Sequence, residues 1–337
     1  MEGMSTQDNS PMTLTPPLIE NQVQRVHRPQ CMCDAEDMSL LSRSYFKLIK
    51  QITVSSCCKA QSWLKHCNPP RNAEEVYYNL LEIPLDVTEY LESAKQIELD
   101  LNRTFPDEPY FINGEGQSAL RRVLQAFSKY DIQMGYVQGM NFIAGALLWH
   151  ASEVDAFWLF VGLMENYEIR DTYLPSLPGL SKHCQIIQIL IVENLPNLHR
   201  QFAEHRIGNE MFLAEWCFTL FGSAVPVDEM LNMLDAFFEK GWVFFYKFVL
   251  AILQCLEKKL LDARDPIEVL TPLKICHKSQ KEWKKFLELL DGGRGKICWR
   301  SLIRKAKNLK VNEKYIRYLQ MNFNLETGQF CLPKAHK

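Results

Sequence analysis

Strand-like alternation is nearly absent from the 337 residues, with Ile52-Thr53-Val54 as its one hint. This excludes a sheet-built domain and leaves helices as the means of burying the core. No GxxxxGK[ST] phosphate loop occurs, so no nucleotide pocket of that kind is expected. The eleven cysteines are scattered and odd in number, and none forms a paired CxxC. Cys31-Met32-Cys33, Cys57-Cys58 and His66-Cys67 therefore lack the usual spacing of a zinc site, and no metal is expected. With no signal peptide at the N-terminus, the thiols are expected to be free and in a reducing compartment. Glu2 argues against N-terminal myristoylation. Aromatics are missing from residues 1–37, which hold four prolines and many polar residues, a composition that reads as a flexible arm. Long apolar runs are missing too. The longest stretch without Asp, Glu, Lys or Arg runs from Ile132 to Ser152, but Gln133, Gly135, Gln138, Gly139 and Asn141 break its first half. Trp242 to Leu261 is interrupted by Lys247 and Glu257-Lys258-Lys259. Both read as buried core helices, and no transmembrane segment is expected.

Hydrophobic residues make up 47% of the chain, enough for a sizeable core. Net charge is only −2, yet it is unevenly placed. From Lys274 to Lys337 there are 16 Lys and Arg against 5 Asp and Glu, so an acidic body carries a basic end. Such an end suits an anionic contact, and a solvated helical face accounts for the same charges. Aromatics are not interleaved with these basic residues, which argues against nucleic acid.

From about Ser39 onward the pattern is helical. Leu120, Val123, Leu124 and Phe127 fall at i, i+3, i+4 and i+7, forming one apolar stripe. Phe212, Trp216 and Leu220 line a second. Met230, Leu231, Leu234, Phe237 and Phe238 line a third, with Gly241 as its stop, and Val243, Tyr246, Val249, Leu250 and Leu253 follow. Pro175, Pro178, Pro196, Gly208, Gly222, Pro226 and Pro266 punctuate these segments. There is no internal repeat. The fold class is all-α.

Two short segments stand out for chemistry. In Ile97-Glu98-Leu99-Asp100-Leu101-Asn102-Arg103-Thr104-Phe105-Pro106, Asp100 and Arg103 lie three apart, where a carboxylate can orient a guanidinium. Pro106 disfavours helix at Phe105, so the helix should end close to Arg103. In Tyr136-Val137-Gln138-Gly139-Met140-Asn141, Gln138 can donate and accept at once, and Gly139 lets another backbone come close. Each segment alone also fits an ordinary surface ion pair or a backbone-bonded glutamine. Together they supply what GTP hydrolysis asks for: a fixed cation for the transition-state charge and an amide to hold the attacking water. His183-Cys184 is no nucleophile-base pair, because adjacent helical residues point about 100° apart. Asp291-Gly292-Gly293-Arg294-Gly295-Lys296 reads as a turn between two helices.

IxxDxxRTFP followed by YxQGMN resembles the double signature of the TBC (Tre-2/Bub2/Cdc16) domain, the Rab GTPase-activating proteins. Leu120-Arg121-Arg122-Val123-Leu124, Ala156-Phe157-Trp158, Leu177-Pro178-Gly179-Leu180 and Glu215-Trp216 with Leu220-Phe221 are similar to further family segments. The likeness runs from roughly Tyr77 to Leu261. The family's G-[IV]-P opening is not found, with Trp63 as the candidate for its tryptophan. Val137 stands where Cys is common, and Leu234-Asp235 replaces a Trp-Asp pair. The resemblance implies a V-shaped, all-helical domain acting in trans on a GTP-loaded Rab GTPase in vesicle trafficking. Arg103 would be the arginine finger. Gln138 would be the glutamine finger, standing in for the GTPase's own displaced glutamine. Asp100 would orient Arg103, and Tyr136, Gly139 and Asn141 would shape the loop and helix start that hold Gln138. GTP and Mg²⁺ would belong to the partner, leaving this chain without cofactor or intrinsic active site. The expected organisation is an arm at 1–37, the TBC domain at 38–262 and a basic helical extension at 263–337. The expected location is cytoplasmic, with a peripheral contact to anionic membrane through the basic end. A helical adaptor that binds a small GTPase or a membrane surface without accelerating hydrolysis remains the alternative.

Overall fold

The computed structural model describes residues 58–84, 88–112, 114–274, 280–291 and 298–331. Ile52-Thr53-Val54, the Cys31 and Cys57 positions, the N-terminal arm and Gly292–Lys296 lie outside the described residues. Sixteen helices and one two-residue hairpin make up the described chain.

The first half comprises α1 (Cys58–Cys67), α2 (Ala73–Glu82), α3 (Thr88–Leu101), α4 (Glu115–Tyr130), α5 (Met140–His150) and α6 (Glu153–Asn166). The Leu120/Val123/Leu124/Phe127 stripe of α4 is fully buried, and α4 packs against α2, α3, α5 and α6. α5 and α6 are apolar nearly all round because they lie inside the bundle. Trp63 in α1 stacks on Phe238 and donates its indole N–H to Asp235 Oδ1 at 3.2 Å, while Lys59 reaches Asp235 Oδ2 at 2.8 Å. The Leu234-Asp235 pair thus has two jobs: Leu234 is core, and Asp235 holds α1 in place.

The second half comprises α7 (Arg170–Tyr173), α8 (Pro178–Asn194), α9 (Pro196–Glu204), α10 (Glu210–Thr219), α11 (Val227–Lys240), α12 (Trp242–Leu261), α13 (Pro266–Leu270), α14 (Gln280–Leu290), α15 (Trp299–Asn308) and α16 (Glu313–Met321), with the hairpin β1 (Phe323–Asn324) and β2 (Gln329–Phe330). Pro178, Pro196 and Pro266 open helices at the first turn, where no N–H is needed. Gly241 ends α11 at φ +58°. Helix α12 is buried along most of its length and packs against α8, α9, α11, α14, α15 and α16. Its Lys247 is buried but satisfied, donating to the Lys307 carbonyl at 3.0 Å and to Glu313 at 2.8 Å.

The basic C-terminal segment shares this core. Trp299 is fully buried against Phe221, Phe248 and Trp283. On α15, Trp299, Leu302, Ile303 and Ala306 face inward, leaving Arg300, Arg304 and Lys307 exposed at i, i+4 and i+7. No helix among the described residues is long and apolar enough to cross a membrane.

Candidate functional site

The two singled-out segments meet. Helix α3 ends at Leu101, and Arg103 sits in the turn that follows. That turn is closed by Arg103 N–H to the Asp100 carbonyl at 3.2 Å and Thr104 N–H to the Leu101 carbonyl at 3.3 Å. Phe105, ahead of Pro106, has φ +45° and turns its ring into the core. Arg103 is therefore outside the helix rather than on its face, though it still reaches Asp100. Its guanidinium pairs with Asp100 Oδ1, and the arginine side chain stays 51% exposed against 1% for the carboxylate.

A buried carboxylate needs partners on both oxygens. The second segment supplies the other one: Tyr136 donates its hydroxyl to Asp100 Oδ2 at 2.5 Å. Burial, then this bond to a carboxylate, pushes the Tyr136 phenol well above its usual range, so it remains a donor. The same hydroxyl faces Asn141 Oδ1 at 3.2 Å, which also accepts the Gly139 N–H at 3.1 Å. Asn141 Nδ2 donates to Thr104 Oγ1 at 2.8 Å, and Thr104 donates onward to the Asp100 carbonyl at 2.8 Å. The result is a closed, buried polar circuit through Asp100, Tyr136, Asn141 and Thr104, in which every partner belongs to one of the two segments.

Gln138 lies between Tyr136 and Gly139 and is exposed, with no side-chain hydrogen bond among the described residues. Gly139 caps the start of α5 at φ +106°, a conformation that favours glycine. A Cβ there would stand 2.9 Å from the Phe218 carbonyl oxygen. The close backbone that the sequence called for is thus this chain's own α10. Met140 and Asn141 then begin a helix that runs straight into the core.

The arrangement presents a cation and an amide to solvent on a fixed base. No group of three His, Cys, Asp or Glu among the described residues is arranged to hold a metal. Cys67 packs against Gly162, and burial pushes its thiol up to about 12. His183 binds the Tyr246 hydroxyl at 2.7 Å and stacks on Trp242. Cys184 beside it, also pushed up to about 12 by burial, is an inert thiol. Thr104 lies inside the first segment, and its place in the circuit shows only in the fold. Ser93, whose hydroxyl accepts the Tyr136 N–H at 3.0 Å, and Phe218 carried no local signal.

The helical architecture is that of known domains. The fold matches the flagellar RabGAP TBC domain of Chlamydomonas (TM-score 0.59, 24% identity, covering 80% of this chain and 86% of that one). It also matches the Ypt/Rab-GAP domain of Gyp1p (TM-score 0.59, 18% identity, covering 77% and 91%). A model of the Rab-GTPase-TBC domain matches residues 55–261, and the chain belongs to that family. Relatives include the Rab GTPase-activating protein eat-17 of Caenorhabditis elegans, 36% identical over 168 residues, which is 50% of this chain and 19% of that protein. The GTPase-activating protein GYP5 of Saccharomyces cerevisiae is 33% identical over 195 residues, 58% of this chain and 21% of that one. TBC1 domain family member 2A of Mus musculus is 32% identical over 200 residues, 58% and 22%. The chain thus spans about a fifth of the length of these curated relatives.

Proposed function

We propose that this protein is a GTPase-activating protein for a Rab-family GTPase in its GTP form, regulating vesicle trafficking through two residues supplied in trans. The observation that carries this reading is the contrast between two exposed side chains, Arg103 and Gln138, and the buried circuit that ties their carriers together. Arg103 neutralises charge developing on the transferred phosphoryl group, and Asp100 keeps its planar fork aimed. Gln138 orients the attacking water by donating and accepting together. Tyr136, Gly139 and Asn141 hold the loop that presents it. The nucleotide and Mg²⁺ are the partner's, so the chain is an activator without an active site of its own. Lysine is a poor substitute for Arg103, being a point charge without the fork.

The test is single-turnover hydrolysis across a panel of GTP-loaded Rab proteins. Wild type is expected to accelerate at least one. Arg103→Ala should lose about 10³–10⁵-fold in rate, and Gln138→Ala should also lose orders of magnitude, with binding of the GTP-loaded Rab retained. Binding without acceleration of any Rab would make the chain an adaptor instead.

A peripheral contact with anionic membrane adds to this reading. Lys284, Lys285, Arg300, Arg304, Lys310, Lys314 and Arg317 are exposed and make no ion pair among the described residues, so their charge is available to a negative surface.

A further inference from the structure

The loop that carries Gln138 leaves α4 at Asp131 and enters α5 at Gly139, and one four-residue helix bonds to the first end directly and to the second through Phe218. At the first end, Arg170 opens α7 and grips Asp131 with two bonds, Nε to Oδ2 at 2.6 Å and Nη2 to Oδ1 at 3.2 Å. Asp131 also organises the turn itself. Its carbonyl accepts the Gly135 N–H at 2.8 Å, and its Oδ1 accepts the Met134 N–H at 3.2 Å. At the second end, Tyr173 closes α7 and donates its hydroxyl to the Phe218 carbonyl, with its ring stacked on Phe218. That carbonyl is the group Gly139 approaches so closely that a Cβ would sit 2.9 Å away.

A brace must be fixed at its base, and α7 is. Gly179 in α8 lets the α7 backbone settle against it, since a Cβ there would lie 2.5 Å from the Asp171 carbonyl carbon and the Thr172 nitrogen. Buried Lys182 of α8 reaches Glu168 at 3.0 Å and Asp171 at 3.8 Å from below. The guanidinium draws Asp131 below the usual carboxylate range, as a standing ion pair does.

We infer that Arg170 is a positioning residue for Gln138: through Asp131 it fixes where the glutamine loop leaves α4, while Tyr173 on the same short helix fixes where the loop enters α5. This rests on the two-residue activating mechanism proposed above. Arg170 acts through the loop and touches neither nucleotide nor water. A small displacement of a positioned group costs on the order of 10²-fold in rate, so an ion pair remote from the chemistry has leverage there.

Two measurements on the full chain test it. The first is hydrogen exchange of the 132–139 amides, read by mass spectrometry without any Rab. Arg170→Ala should speed exchange in this loop while α4 and α5 keep wild-type protection, and Asp131→Asn, which weakens the pair from the loop side, should do the same. The second is turnover of the responsive GTP-loaded Rab. Arg170→Ala should lower kcat on the order of 10–10²-fold with KM nearly unchanged. In a Gln138→Ala background it should cost nothing further, because the residue being positioned is gone. Unchanged loop exchange in both variants would overturn the inference whether or not any Rab responds. An equal loss of rate with and without Gln138 would overturn it as well, marking Arg170 as merely structural. Failure of the activating function reads separately, as wild type that accelerates no Rab.

Discussion

Tyr136→Phe removes one hydroxyl and leaves Asp100 Oδ2 buried without its donor. The expected cost is about 1–3 kcal/mol of stability, together with reduced GTPase activation as Arg103 loses its fixed carboxylate. Paired denaturant melts and turnover assays would measure both. Gly139→Ala strains φ at +106° and drives a methyl against the Phe218 carbonyl. About 1–2 kcal/mol of strain follows from the backbone alone, and turnover should fall further than stability because Gln138 is the adjacent residue. A variant that melts early yet turns over normally would contradict the reading. At this scale the pairing of Asp100 with Arg103 was legible, because the two stand three apart inside one motif. The sequence was a poor guide to Ser93, Arg170, Tyr173 and Phe218, which come from distant segments. Their roles depend on where the backbone carries them, and residue type alone does not encode that.

Helices were legible wherever an apolar stripe had a clear period and a Pro or Gly at its edge, as in α4, α11 and α12. The four-residue α7 was not, because a single turn is too short to show periodicity. Segment pairings were also hidden. The tryptophan of α1 finds its acceptor on α11, and His183 of α8 finds its hydroxyl on α12. That last contact has a consequence for acid stability. Burial, and secondarily the charge of Lys182, lowers the His183 pKa in the folded state. An unfolded histidine titrates near about 6.5. Below that pH the unfolded chain takes a proton that the folded chain refuses, so stability falls as pH falls, by up to about 1.4 kcal/mol per unit from this one group. Above it the contribution is flat. Urea midpoints measured between about pH 7.5 and 5.5 should decline in wild type and decline less in His183→Gln.

For the molecule as a whole, charge and core divide the chain differently. Charge separates an acidic body from a basic C-terminal end, whereas the core runs through both, because Trp299 sits among Phe221, Phe248 and Trp283. From the sequence the end reads as an extension, since its charge is visible and its tryptophan looks like any other. Trp299→Ala should therefore cost about 3–5 kcal/mol and unfold the body with the end in one transition, measurable by calorimetry. Binding to phosphatidylserine vesicles should weaken steeply with added salt and be reduced by Arg300→Glu and Arg304→Glu, while neutral vesicles bind neither form. The position of Trp299 also bears on synthesis. The segment matched by the family ends at Leu261, so a growing chain completes that segment before it has the tryptophan that covers Phe221 and Phe248. At about 5–20 residues per second, making the stretch from Leu261 to Trp299 takes roughly 2–8 s. Until Trp299 joins the core, Phe221 and Phe248 lack the cover of its ring, and a chain ended within that stretch would leave them without it.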